Sequence, residues 1–339
     1  EENGCYGAQA LDCSDIKARL MIGLDVMESP IENVCCVGCY CSDRLILSRD
    51  FVSERKDLEV VSLKLEGIEP VRTGALVHPE QGNAIKIVAR LLEKLLLSGI
   101  EVSLIHIEAG SAENYNPVSC EVVFACDDFL KTEKVLHEEL EDIISELDDG
   151  LQKIKLSLKK KKLMNEAVLS AFDSKTLIDL LYMLPSGNVM ISLLDQNMTA
   201  TNNLGMVQLK EGHFECIMAN RCRNVHYKEG INQRVSVLAK QADCEMKIEQ
   251  RYTAWEYKKD SKLKKITGEL MEEFYGKKME ENICPGGLEI CDFLPKMEGL
   301  DCVMFAPIGE ECHSIGEYLN RASFNRVYDF LKLLLTRIE

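Results

Sequence analysis

The chain has 339 residues, 46% of them apolar, which is enough for two domains that each bury a core. A formal net charge of −16 leaves no basic surface on which to gather phosphates, so nucleic acid is excluded as a partner. No apolar run approaches the ~18 residues of a membrane helix and no secretory leader opens the chain, so a cytoplasmic protein with no membrane partner is expected.

The first residues, EENG, put two adjacent carboxylates, Glu1 and Glu2, where a chain end is ordinarily frayed. ARLMIGLD (18–25) predicts a strand ending at an acid, Asp25. Next comes CCVGCYC, which holds Cys35, Cys36, Cys39 and Cys41 of fifteen cysteines in all. A C-x-x-C pair could hold a tetrahedral metal, but no second pair or neighbouring histidine completes four ligands. The remaining cysteines are scattered in apolar segments, where a thiol behaves as a small hydrophobe, and an odd total fits a disulfide framework poorly. Reduced, buried thiols are expected.

LEVVSLKL (58–65) reads as a strand. In NAIKIVARLLEKLLLSG (83–99), Ile85, Val88, Leu92, Leu95 and Leu96 recur at the spacing of one helical face, and Ser98-Gly99 stops the helix. IEVSLIHI (100–107) and CEVVFAC (120–126) follow as strands. DDFLKTEKVLHEELEDIISEL (127–147) is then an amphipathic helix capped by Asp127 or Asp128. This order predicts helices on one face of an antiparallel sheet. The lysine run at 159–162 reads as a solvated face rather than a phosphate or membrane patch.

A similar alternation returns in GNVMISLLD (187–195), a strand, and in GMVQLKEGHFECIMANR (205–221), a hairpin turning at Glu211-Gly212. GINQRVSVLAKQAD (230–243) reads as a helix and CEMKIEQR (244–251) as a strand. The repetition suggests one enlarged or duplicated domain. After Tyr252 come a helix (261–276), a short buried strand, DCVMFAP (301–307), and a closing helix (322–338). These read as the second half of the α/β layer begun by ARLMIGLD, so one domain is inserted into another.

Asp25 ends a predicted strand, and His313 lies in the loop GEECHSIGE (309–317) just after DCVMFAP. Ligands of open α/β sheets gather beyond the carboxyl ends of strands. With Glu1 and Glu2, these side chains form a carboxylate and imidazole set suited to zinc or manganese. His106, in an alternating strand, and His137, on an acidic helix face, read as structural or solvated.

Eight stretches occur in order from the first residue nearly to the last: EENG, IGLD, QGNAIKIVARLL, LLYMLPSGNVMIS, TNNLGMV, the run from Tyr252 to Ser261, PGGLE and CHSIGE. They resemble the aminoacyl-histidine (Xaa-His) dipeptidases, also called cytosolic non-specific dipeptidases. The resemblance implies a co-catalytic metallopeptidase with an α/β catalytic domain, its upstream part absent, interrupted by an α+β lid. Residues 1–45 and 252–339 would be the catalytic domain, and 46–251 the lid, through which a homodimer would form. Glu1 is implied as general base, Glu2 and His313 as ligands of one metal ion, and Asp25 as ligand of the other. Arg221 is implied to bind the substrate's terminal carboxylate, with Asn114, Asn203 and Glu289 also facing substrate. The cofactors would be two divalent ions, zinc or else manganese or cobalt, and the partner a short peptide.

This sequence departs from the family pattern in four places. The family's His-x-Asp segment is absent, because the six histidines occur as HPE, HIE, HEE, HFE, HYK and HSI. Arg72 and Pro285 stand where histidines are expected, and Val118 where an arginine is. Three expectations follow. The first is a metallo-dipeptidase whose metal site is incomplete, and which is inactive, in this chain. The second is an inactive peptidase-like binding protein. The third is a structural zinc held by cysteines.

Overall fold

The computed structural model describes residues 5–25, 32–69, 82–146, 153–191, 198–284, 286–310 and 318–338. In chain order its first elements are α1 (Tyr6–Ala10), β1 (Leu20–Gly23), β2 (Val34–Cys39), β3 (Cys41–Asp50) and β4 (Ser53–Glu66). Then come α2 (Ala84–Leu97), β5 (Val102–Ala109), β6 (Cys120–Cys126), α3 (Phe129–Ser145), β7 (Lys155–Leu169) and α4 (Ala171–Met183). The middle continues with β8 (Gly187–Ile191), β9 (Met198–Lys210), β10 (His213–Cys222), α5 (Val225–Gln241) and β11 (Glu245–Tyr252). The last elements are α6 (Lys262–Tyr275), β12 (Glu280–Cys284), α7 (Ile290–Phe293), β13 (Asp301–Met304), β14 (Gly309–Glu310), β15 (Tyr318–Leu319) and α8 (Arg321–Arg337).

The chain divides into two compact units. The outer one comprises Glu1–Ser42, Cys222–Val225 and Arg251–Glu339; the inserted one comprises Asp43–Arg221 and His226–Gln250. Together they give the mixed α/β fold read from the sequence.

In the outer unit a sheet runs in the order β1-β13-β2-β12, with β1 parallel to β13 and β12 parallel to β2. The two-residue period of β13 sorts its side chains. Val303 enters a core with Leu263, Met271 and Phe330 from α6 and α8, while Cys302 and Met304 enter a second core with Trp255, Ile290 and Cys291. α6 is capped by Ser261, whose hydroxyl accepts from Lys264 N, and ends at Gly276 in the left-handed region. α8 buries Val327, Phe330 and Leu334, one stripe of a helix capped by Asn320.

The inserted unit is built on a nine-stranded sheet, β11-β3-β10-β9-β5-β6-β4-β7, with β8 paired to β9. Both α/β passages of the sequence therefore share one sheet, which makes this one enlarged layer. α2 packs against α3 and α4 and rests on strands that include β5 and β6. Asn83 caps α2 by accepting from the amides of Ile85 and Lys86, and Asp128 rather than Asp127 caps α3. The β9–β10 hairpin turns at Glu211-Gly212, both with positive φ, as a right-twisted ribbon requires. The lysine run lies exposed on β7 opposite β4, where Lys160 pairs with Glu59 at 2.7 Å. It is a solvated face, and it sits on a strand that the residue pattern does not announce.

Candidate active site

β1 and β13 run parallel from Leu20↔Asp301 to Gly23↔Met304, so both strands finish at the same end of the sheet. A Cβ on Gly23 would lie 2.5 Å from Met304 Cε, so a larger residue there would displace the end of the Met304 side chain. Asp25 follows two residues later and is exposed. Glu1, Glu2 and His313 lie outside the described residues, as do Arg72 and Pro285. Among the described residues no three His, Cys, Asp or Glu side chains are grouped to hold a metal ion. One carboxylate has the donor chemistry for a divalent ion but does not make a site by itself.

The segment that follows Glu1 and Glu2 is anchored. The last carbonyls of short α1 would otherwise lack partners, and Lys296 Nζ donates to the carbonyls of Ala8 (2.8 Å), Gln9 (2.5 Å) and Leu11 (3.1 Å). Glu289 precedes α7 and is half-buried; its backbone carbonyl accepts from Asp292 N at 2.9 Å, while its carboxylate makes no capping bond. In the PGGLE segment, Gly287 lies against the ring of Tyr252, where an added Cβ would come within 2.2 Å of ring carbons.

In the inserted unit, Asn114 and Asn203 are brought together. Asn203, buried on β9, donates through Nδ2 to the carbonyls of Glu113 (2.9 Å) and Tyr115 (2.7 Å), the two neighbours of Asn114. The Asn203 side chain thus holds the loop that carries half-buried Asn114, with both amide hydrogens engaged by backbone. Gly205 makes room for this contact, since a Cβ there would sit 2.7 Å from Glu113 Cα.

Arg221 is half-buried at the end of β10. Behind it lies a network that the sequence motifs do not reveal. Fully buried Asn220 donates to Asn232 Oδ1 (2.7 Å) and to the carbonyl of Lys228 (3.2 Å). Asp43 accepts from Lys228 Nζ and from Asn232 Nδ2, each at 2.7 Å. A signal was available: Lys228, Ile231, Asn232, Val235 and Ala239 are the buried stripe of α5, and that spacing places a lysine and an asparagine on the apolar face. α5 starts at Val225, whereas the expected start at Gly230 left Lys228 outside the helix.

His137 is exposed on α3, and His106 lies with Nε2 3.4 Å from Glu108. Among the described residues, neither belongs to a metal-holding group. The fourteen described cysteines are free thiols, twelve of them buried, as expected of reduced core residues. No described helix is long and apolar enough to cross a membrane.

Among solved structures, aminoacylhistidine dipeptidase from Vibrio alginolyticus superposes with a TM-score of 0.88 at 20% identity, over 99% of this chain and 69% of that one. At that identity the likeness shows a shared fold. Aminopeptidase PepT from Bacillus cereus ATCC 10987 matches at TM-score 0.44 and 12% identity, over 98% of this chain and 61% of its own. A tripeptidase from Staphylococcus aureus subsp. aureus Mu50 matches at 0.45 and 13%, over 98% and 62%. No curated protein matches. The profile of peptidase family M20/M25/M40 matches residues 1–337, and the chain belongs to that family.

Proposed function

We propose that the full-length protein hydrolyses dipeptides, of the Xaa-His type or more broadly, with divalent metal ions and Glu1 as general base. The observation that carries this reading is the peptidase-family match over residues 1–337. The parallel pairing of β1 with β13 supports it, because Asp25 and the segment leading to His313 both leave the same end of the sheet.

Asp25 would hold one ion, and Glu2 with His313 the other; zinc is the first candidate, with manganese or cobalt as alternatives. When bound, such ions polarise the scissile carbonyl and acidify water. Glu1 takes the proton of the attacking water at a carboxylate oxygen and passes it to the departing amine nitrogen. Adjacent glutamates serve this chemistry, since one is held as a ligand while the other is free to move a proton. The planar fork of Arg221 donates to both oxygens of the peptide's terminal carboxylate. Asn114 and Glu289 border the peptide, and Asn203 acts through its hold on the Asn114 loop. The protein works in the cytoplasm and pairs with a second copy through the inserted unit.

Tight metal binding ordinarily takes about three protein ligands per ion, and this chain supplies fewer to each. With one residue assigned to one ion and two to the other, weak metal binding by this chain is part of the proposal. The test is hydrolysis of Xaa-His dipeptides by the full-length gene product at rising zinc, manganese and cobalt. Metal-dependent turnover, with a raised KM for Arg221→Ala toward peptides with a free carboxyl end, is expected. Absence of turnover at every metal concentration overturns the reading.

Arg72, Pro285 and Val118, which depart from the family pattern in substrate-facing segments, favour a second reading, an inactive peptidase-like binding protein. It predicts peptide binding that added metal leaves unchanged, and no hydrolysis.

A further inference from the structure

β2 is cysteine-rich, and its pleat sorts the thiols. Cys35 and Val37 enter the core under α6 and α8, while Cys36 enters the opposite core with Trp255, Cys284, Ile290 and Cys291. Had the two-residue period continued, Cys39 would join Cys35 and Val37. The pairing with β12 breaks it. Asn282 stands opposite Cys36 and Cys284 opposite Cys39, so β2 advances one residue more than its partner. Such a bulge re-aims the side chains beyond it. Gly38 lies within it, where a Cβ would come 2.9 Å from the carbonyl oxygen of Trp255. The reversal carries Cys39 into the second core, where its Sγ lies 2.6 Å from Sγ of Cys291.

Both thiols are fixed from behind. Cys39 N donates to the carbonyl of Trp255 at 2.9 Å, and Trp255 N to that of Cys39 at 3.2 Å. Cys291 N donates to the carbonyl of Leu288 at 2.9 Å, and its own carbonyl accepts from the Thr253 hydroxyl. Cys36 is turned away, with its thiol 3.1 Å from the carbonyl of Gly38. Although Cys36, Cys284 and Cys302 share this core, no three of the described side chains are grouped to hold a metal ion. The chemistry open to two facing, immobilised thiols is two-electron oxidation.

We propose that Cys39 and Cys291 form a dithiol–disulfide couple, a modification site at which a peroxide ties β2 to α7. Cys291 attacks as thiolate on one peroxide oxygen. The O–O bond breaks, the departing oxygen takes protons and leaves as water, and a sulfenic acid remains on Cys291. The Cys39 sulfur then attacks that sulfur, the S–O bond breaks, and a second water leaves. Two thiols and one hydrogen peroxide become one disulfide and two waters; the sulfurs lose two electrons and the peroxide gains them. The order follows from the shared proton. The hydrogen bond between the two sulfurs holds Cys291 below the ordinary thiol range against its burial, and the same bond together with burial holds Cys39 above it. Because the pair joins residues 252 positions apart and sits just past Glu289, the bond would staple the ends of the outer unit together.

The test treats the intact protein with hydrogen peroxide or with dithiothreitol, quenches in acid, alkylates free thiols under denaturing conditions and maps tryptic peptides by fragmentation. Peroxide should remove two of the fifteen titratable thiols and yield a Cys39–Cys291 cross-link, reversed by dithiothreitol and absent from Cys39→Ser and Cys291→Ser. The oxidised protein should melt about 5 °C or more above the reduced one. Oxidation confined to the less buried Cys126 and Cys244, a cross-link through Cys36, or no cross-link in wild type overturns the proposal. The cross-link is read in the wild-type protein, so the outcome does not depend on whether either variant folds.

Discussion

The buried pair behind Arg221 provides a sharp test of the fold's energetics. Asp43 and Lys228 meet at 2.7 Å with side chains only 4% and 7% exposed, and Asn232 saturates the second carboxylate oxygen. Asp43→Asn keeps the shape, removes the negative charge and leaves the Lys228 ammonium in the interior without its counter-ion. Breaking one side of such a pair costs about 3–5 kcal/mol, because the remaining charge stays desolvated. For a unit of about 200 residues, 1 kcal/mol moves Tm by ~2–4 °C, so a fall of roughly 6–20 °C is expected. Thermal and urea unfolding followed by circular dichroism measure it. Adding Lys228→Met to Asp43→Asn removes the stranded charge and should recover at least half of the loss. An Asp43→Asn cost below about 1 kcal/mol, or a double variant as unstable as the sum of the singles, would refute the reasoning.

Other outcomes follow from named contacts. Glu139 is buried, which raises its carboxyl pKa, but Lys94 and Arg90, each at 2.7 Å, outweigh burial and hold it below its ordinary 4.5. A depressed carboxyl contributes stability that is present above its unfolded pKa and is lost as pH falls through the folded one. Glu139→Gln should therefore cost about 1–2 kcal/mol near neutrality and flatten the stability profile below about pH 4.5, as read from urea midpoints. Gly287→Ala drives a methyl into the Tyr252 ring and should cost about 1–3 kcal/mol in Tm-derived stability, with partial recovery on adding Tyr252→Ala.

The elements legible in the sequence are those whose caps and apolar spacing are local. Asn83, Asp128 and Ser261 announce α2, α3 and α6, and Val327, Phe330 and Leu334 announce α8. β2 was illegible because three of its six residues are cysteines and five are buried, which erases alternation. β7 hid behind four lysines that lie exposed on it. α4 was missed because Leu177, Ile178, Leu180 and Leu181 are all buried, leaving little contrast between its faces. The sequence reads Asp25 as the acid ending a strand, and β1 stops two residues before it, at Gly23. The Asp43–Lys228 pair spans 185 residues and the Asn203 clamp about 90, so nothing in either neighbourhood announces the other half. The crossing of Cys39 into the second core depends on a bulge, a register feature that no single strand displays.

The central claim is that Glu1 moves the proton in metal-dependent peptide hydrolysis. The most direct measurement compares Glu1→Gln with the wild-type full-length protein, reading dipeptide turnover and bound metal in the same samples. The account predicts that turnover falls by about 100-fold or more while metal content is unchanged. Turnover equal to wild type, or no turnover in the wild type under full metal loading, would contradict it.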